Sequence, residues 1–163
     1  GNNPSLTISG AVTLEGARFP LYQAAARAGE AEERAKAYRR QQGSGEKNAF
    51  HFLGLEVGWE EWDQVLRYHQ EMRTALEGGA ARALLQILQD TYAQYERQRK
   101  TRKAEIGPWI WRGAYALSRL AGRIPQENRE AREAVTRLAQ SCLNPAEIRF
   151  AGLAARWMEL LTR

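Results

Sequence analysis

Two lysines bracket the most suggestive stretch of this sequence. Lys36 falls near the end of a run with helical spacing, and Lys47 stands just before a run with strand alternation. Ammonium groups at opposite ends of one short excursion can converge on a polyphosphate lying over a sheet edge, each acting as a mobile point charge. Upstream, Ser9 and Gly10 lie on a strand-like run where backbone and a hydroxyl can approach a ligand. No candidate base accompanies Ser9 in any nearby motif, so it is read as a contact position and not as a nucleophile. Spacing alone is met as well by two solvated lysines, and it carries the reading no further.

A second group of cations lies in the other half of the chain. Arg97, Arg99, Lys100, Arg102 and Lys103 put five positive charges within seven residues at a helix end, and Arg112, Arg119 and Arg123 recur along the next helix. Such clusters suit nucleic-acid backbone phosphates, which supply affinity without sequence preference. Taken singly, each of these residues serves equally to offset a helix dipole and keep the surface hydrated.

Other chemistry is thinly represented. Cys142 is the single cysteine, which excludes an internal disulfide framework, and the two histidines are widely separated. His51 and His69 read as a strand and a helix side chain with hydrogen-bond partners, and no metal-ligand spacing is present. Cys142 shares an apolar stripe with Val135 and Leu138 and reads as a small core residue. Trp109 and Trp111 flank Ile110 near a helix start, so they cannot both face one core; Trp59, Trp62 and Trp157 read as packing residues.

The elements that must position these residues change character along the chain. From Leu6 to Leu14 the side chains alternate, with Leu6, Ile8 and Val12 on one face and Thr7, Ser9, Ala11 and Thr13 on the other, as in a half-buried strand. Pro20 then suits a first helical position. Leu21, Ala24, Ala28, Ala31, Ala35 and Tyr38 recur at helical spacing through about Gln41, giving a small-residue face for close packing on a sheet. Gly43-Ser44-Gly45 breaks the helix, and Ala49 to Val57 returns as extended chain with a bend at Gly54. From Trp59 the period is helical throughout, which predicts a second domain from near residue 58 with five helices, the first carrying the stripe Trp62, Val65, Leu66, His69, Met72 and Leu76 and ending at Gly78-Gly79, the others roughly 80–101, 108–122, 126–142 and 145–162. Asn144, Pro145 and Glu147 predict an N-cap, a first-turn proline and a capping-box partner for the last of them.

Charge follows the same division. Of 163 residues, 44% are hydrophobic and the net charge is +5, but residues 1–81 carry 9 Lys/Arg against 11 Asp/Glu while residues 82–163 carry 15 against 8. The helical half is the basic half. No apolar run approaches the roughly 20 residues that span a bilayer, and with one cysteine a cytoplasmic setting without membrane contact is expected. The chain opens on Gly1, and its first 57 residues are short for a free-standing domain, so a piece of a larger protein is expected.

Several stretches together resemble a known family. They are Asn3-Pro4-Ser5-Leu6-Thr7-Ile8-Ser9-Gly10, Phe19-Pro20-Leu21-Tyr22-Gln23-Ala24-Ala25, Gly29-Glu30-Ala31-Glu32-Glu33-Arg34-Ala35-Lys36 and Lys47-Asn48-Ala49-Phe50. They are similar to the closing half of the second palm domain in the large subunit of type III CRISPR-Cas effector complexes, of the Csm or Cmr kind. The likeness runs to about Trp62. The same skeleton of a Ser-Gly strand, a helix ending in Ala-Lys and a following Lys-Asn is similar to GGDEF diguanylate cyclases.

The resemblance implies an α+β chain: a partial GGDEF-like, ferredoxin-like palm (strand, helix, strand) over residues 1–57, then an all-α small-subunit-like bundle of about five helices over 58–163. It implies that Lys36, Lys47, Ser9 and Gly10 face the phosphates of ATP, which the family joins into cyclic oligoadenylates when target RNA binds. The divalent metal of that reaction, magnesium or manganese, is held in the family by a Gly-Gly-Asp-Asp hairpin, and the family's nuclease uses a His-Asp pair. Neither occurs here, where the only aspartates are Asp63 and Asp90, so this piece alone is expected to be inactive. The helical part is expected to meet guide RNA, target RNA and neighbouring subunits, small subunits included, with Arg97, Arg99, Lys100, Arg102, Lys103, Arg112 and Arg119 as phosphate contacts. Base pairing would supply the specificity those contacts lack. The alternative is a non-catalytic scaffold, a degenerate palm that docks a helical RNA- or protein-binding domain. A diguanylate cyclase has no evident use for a basic bundle directly after its palm.

Overall fold

The computed structural model describes residues 7–38, 48–101 and 107–162. Its elements are β1 (Gly10–Val12), α1 (Leu21–Ala37), β2 (Ala49–Phe52), β3 (Leu55–Gly58), a single 3₁₀ turn (Trp59–Glu61), α2 (Trp62–Glu77), α3 (Ala83–Lys100), α4 (Pro108–Ala121), α5 (Arg129–Ser141) and α6 (Pro145–Leu161). The chain is α+β, mostly helical with one small sheet. No helix among the described residues is long and apolar enough to cross a membrane.

Two compact units divide between Asp63 and Gln64, inside the first turn of α2. That is later than the change of period at residue 58, because Trp59 and Trp62 are claimed by the sheet. Trp59 stacks on Phe50 with ring centroids 4.5 Å apart, Trp62 meets Phe50 edge-on at 4.7 Å, and the Trp59 indole N–H donates to the Ile8 carbonyl at 2.8 Å.

In the first unit the sheet order is β1-β2-β3, with β1 parallel and β3 antiparallel to β2. The extended run expected over Ala49 to Val57 is in fact a hairpin. Leu53 and Gly54 both take positive φ (48° and 92°), the turn whose twist matches that of paired strands. Residues directly paired in the register share a face, which puts Ala11, His51 and Glu56 on one side and Gly10, Phe50 and Val57 on the other. Helix α1 covers the first side. Its Ala31 and Ala35 are fully buried, and Arg34 donates to Glu56 at 3.2 Å. Alanine is what lets a helix sit this close to a strand bearing Ser9, Ala11 and Thr13.

The strand is therefore half-buried through its small residues. Ile8 (69% exposed), Val12 (48%) and Leu14 (61%) face out, the reverse of the usual placement of an apolar strand face. Pro20 stands one place earlier than expected, as the extended N-cap of α1 rather than its first helical residue. Arg27 ties the β1–α1 connection, pairing with Glu15 at 3.0 Å and lying over the Phe19 ring.

In the second unit α3 packs on α4 and α6, and α5 packs on α4. The core is built of Met72, Leu84, Leu88, Leu117, Val135, Leu138 and Ile148. Gly152 of α6 admits Tyr92 of α3, since a Cβ there would meet the Tyr92 Cβ at 2.6 Å. Asn144 caps α6 as expected, its Oδ1 accepting from the Ala146 N–H at 2.9 Å with Pro145 following. Glu147 does not close the capping box. Its carboxylate accepts from the Asn144 side-chain amide and from the Tyr68 hydroxyl of α2, while the Asn144 backbone N–H goes to Ser141.

Candidate nucleic-acid interface

The C-terminal turn of α3 and the first turns of α4 enclose an open cleft of about 430 Å³. Arg97, Gln94, Gln98 and Thr101 come to it from α3 and its cap, and Trp109 and Arg112 from α4. Gly113 allows this seam. A Cβ there would lie 2.5 Å from the Thr91 hydroxyl oxygen of α3, so only glycine lets the two helices meet at this height. Trp109 is 2% exposed and packs edge-on against Tyr95 at 5.3 Å, yet its indole N–H has no hydrogen-bond partner.

Trp111 is the opposite case, 68% exposed, and Tyr115 one turn later is 64% exposed. Arg112 and Arg119 share this outer face of α4, and the Arg119 guanidinium lies 5.9 Å from the Tyr115 ring centre. Arg123 follows in the turn after α4. With Tyr115 and Arg119 it borders a second cleft, of about 390 Å³, whose opposite wall is Gly79 to Ile87. Helix α4 contains no Asp or Glu. Among the described residues no ion pair involves Arg97, Arg112, Arg119 or Arg123. Unpaired guanidiniums on an exposed helix face are free to take phosphate oxygens without first releasing a carboxylate. Of the other expected contacts, Lys100 is exposed at the end of α3, Arg99 is paired with Glu96 at 3.4 Å, and Arg102 and Lys103 lie outside the described residues.

The residues assigned to ATP phosphates are in the sheet unit. A strand-helix-strand path brings the start of β1, with Ser9 and Gly10, to the same end as the last turn of α1, with Lys36. Lys47 lies outside the described residues. The Ser9 hydroxyl oxygen is buried without a hydrogen-bond partner, and nothing stands within 4 Å of where a Gly10 Cβ would be, so both leave something for a ligand to meet. Lys36 does not stand free. Its ammonium sits 2.9 Å from Glu33 and 3.0 Å from Glu32, and hydrogen bonds to those two carboxylates push its pKa above the ordinary lysine value.

Several groupings were not visible in the sequence. His51 is buried and its Nδ1–H donates to Glu56 at 3.0 Å, where Arg34 also bonds. Their spacing of five residues signals contact only once Leu53-Gly54 is recognised as a hairpin turn. His69, expected to be satisfied, instead lies against Trp157 at 4.3 Å with Nε2 buried and unpartnered, and burial together with the nearby Arg73 holds its pKa below the ordinary value. Cys142, by contrast, is the core residue its apolar stripe predicts: it is fully buried, and that burial raises its thiol to about 12. No group of three His, Cys, Asp or Glu side chains suited to a metal ion occurs among the described residues.

Compared with family models, with curated proteins and with solved structures, the chain matches none.

Proposed function

We propose that this chain is part of the large subunit of a type III CRISPR RNA-guided interference complex. In this reading the helical unit lays the outer face of α4 and the cleft beside it against guide and target RNA, with other subunits as neighbours. The sheet unit is the closing part of a GGDEF-like palm that contributes to an ATP site for cyclic oligoadenylate synthesis triggered by target RNA. The observation that carries the RNA part is that Arg97, Arg112 and Arg119 are exposed and unpaired by carboxylates, the first two lining the α3–α4 cleft and the third sharing the outer face of α4 with Arg112. Such a surface binds backbone irrespective of sequence, which is what a complex programmed by base pairing requires.

For the ATP part, the resemblance over residues 3–62 is supported by the common end of Ser9, Gly10 and Lys36 and by the orphaned Ser9 hydroxyl. The residues present do not fit the reaction's divalent metal, since the only aspartates, Asp63 and Asp90, fall singly on different helices and the described residues hold no group of three His, Cys, Asp or Glu suited to a metal ion. No step through a metal is derived from this chain. One observation favours the second reading, a palm-like scaffold without catalysis: the cation offered to the triphosphate is already held by Glu32 and Glu33.

The test is salt dependence of RNA binding by this chain with Arg97→Glu, Arg112→Glu and Arg119→Glu combined. Affinity for a guide–target RNA hybrid should fall by at least about tenfold at low salt, and the slope of log affinity against log salt should flatten by roughly 2 to 3 for three lost phosphate contacts. An unchanged slope would remove these residues from any phosphate contact and leave the RNA reading without its support.

A further inference from the structure

Resting on the RNA reading above, we infer that the outer face of α4 holds an unpaired nucleic-acid strand, with Trp111 and Tyr115 stacking on its bases while Arg112 and Arg119 take its phosphates. The order of residues around the helix lays out this surface. At about 100° per residue, Trp111 and Tyr115 fall about 40° apart, and Arg112 and Arg119 fall about 20° apart on the flank beside them. The exposed surface is therefore two parallel files, one aromatic and one cationic. Ser118, exposed on the far side of the aromatic file, adds no bulk that would shield the rings.

A single strand has the matching layout, with bases along one side and phosphates along the other. A duplex does not, because its base faces are stacked inside and only backbone and groove edges remain accessible. On a duplex the arginines would be used and the rings would gain nothing. Two large rings left 68% and 64% exposed beside unpaired guanidiniums are thus better matched to a strand whose bases are free. The Arg119 guanidinium over Tyr115 joins the two files at one point. Helix α4 bears no carboxylate that would repel a polyanion along this face. At 1.5 Å rise per residue the two rings are spaced about 6 Å along the helix, which leaves room for a base to lie against each.

The experiment is fluorescence anisotropy on the whole chain with three probes: an oligouridylate, an oligothymidylate and a fully paired RNA duplex. Trp111→Ala with Tyr115→Ala should weaken the oligouridylate by at least about tenfold, from the loss of two stacked bases. The same variant should leave the duplex within about twofold and the salt slope unaltered. Both side chains are exposed, so the melting curve should match that of the parent chain and a folding defect would be seen directly. Arg112→Glu with Arg119→Glu should weaken all three probes and flatten the slope. Equal loss on oligouridylate and oligothymidylate, or a larger loss on the RNA, both support the inference and differ in whether the 2′-hydroxyl is read. If the aromatic variant leaves single strands unaffected while the arginine variant weakens every probe, the inference fails and the RNA reading stands. If the parent chain binds none of the probes, both fail. Sedimentation showing a dimer that the aromatic change abolishes would assign the rings to a second copy of this chain and overturn the inference.

Discussion

The cations at the two candidate sites of this chain, one in each unit, are held in opposite ways. In the sheet unit Lys36, Arg34 and Arg27 are each tied to carboxylates, Glu32 and Glu33, Glu56, and Glu15 respectively. In the helical unit Arg97, Arg112, Arg119 and Arg123 have no such partner among the described residues, although Arg73, Arg99, Arg129 and Arg137 elsewhere in the same unit do. Pairing is thus available in this unit, and the arginines at the α3–α4 seam, along α4 and in the turn after it do without it, as Arg82 and Arg132 do elsewhere among the described residues. Both units leave apolar side chains outside: β1 of the sheet unit presents Ile8, Val12 and Leu14 outward, and α4 of the helical unit presents Trp111 and Tyr115. A phosphate arriving at Arg112 or Arg119 of α4 displaces no carboxylate among the described residues. One arriving at Lys36 must compete with two carboxylates already in place.

The largest effect expected from breaking this contrast comes at the seam. Gly113→Ala places a Cβ against Thr91 and Cys142, both held in the core, and should destabilise the helical unit by about 1–3 kcal/mol through overpacking. It should also lower RNA affinity, because Arg97 and Arg112 reach the cleft from the two helices that would be forced apart. Gly10→Ala is the matching change in the sheet unit, where nothing lies within 4 Å, and should alter stability by no more than about 0.5 kcal/mol. Urea unfolding of the two variants side by side checks both. A Gly113→Ala protein as stable as its parent, with unchanged RNA affinity, would mean that the seam does not set the spacing of the arginines.

A smaller effect is expected from removing the competitors at Lys36. Glu32→Gln with Glu33→Gln takes away both hydrogen-bonded carboxylates that raise the lysine pKa. Triphosphate affinity, read by titrating inorganic triphosphate at low salt, should rise by roughly threefold, since an exposed cation is screened and its pairs are weak. RNA affinity should not move. If triphosphate binding is also unmoved, Lys36 is a surface lysine of α1, the ATP assignment fails, and the scaffold reading gains.

How much of this was legible beforehand depended on which physical signal each feature carries. Helices α3, α4 and α6 announce themselves through apolar spacing and through Gly107-Pro108 and Asn144-Pro145, whose effects are local. The separation of Trp109 from Trp111 followed from helical geometry alone, with one ring buried and one exposed. Glu32 and Glu33 stand four and three residues before Lys36, a local spacing that makes the pairs legible without excluding a bound anion. What could not be read was pairing across distance. The His51–Glu56–Arg34 grouping required the hairpin, and the hairpin was hidden because leucine is a poor residue for a left-handed turn position. The outward face of β1 was misleading for a related reason. Alternation reports that two faces differ, not which one is covered, and here close helix packing selected the small one.

That hairpin supplies the smallest expected effect and the sharpest separation of the two units. Leu53 at φ 48° bears the steric cost of a β-carbon in the left-handed region, while Gly54 at 92° does not. Asn-Gly is the pair this turn favours, so Leu53→Asn should raise the urea midpoint by an amount corresponding to about 0.5 kcal/mol. The gain is less than the full relief of strain because Leu53 is half-buried and its side-chain packing is lost. RNA affinity and its salt slope should be identical to those of the parent chain. A lower midpoint would show that Leu53 is retained for packing and not merely tolerated in the turn. A change in RNA affinity would be more informative still, because it would mean that the sheet unit, whose Arg27, Arg34 and Lys36 are already paired, takes part in the contact proposed for the α4 arginines.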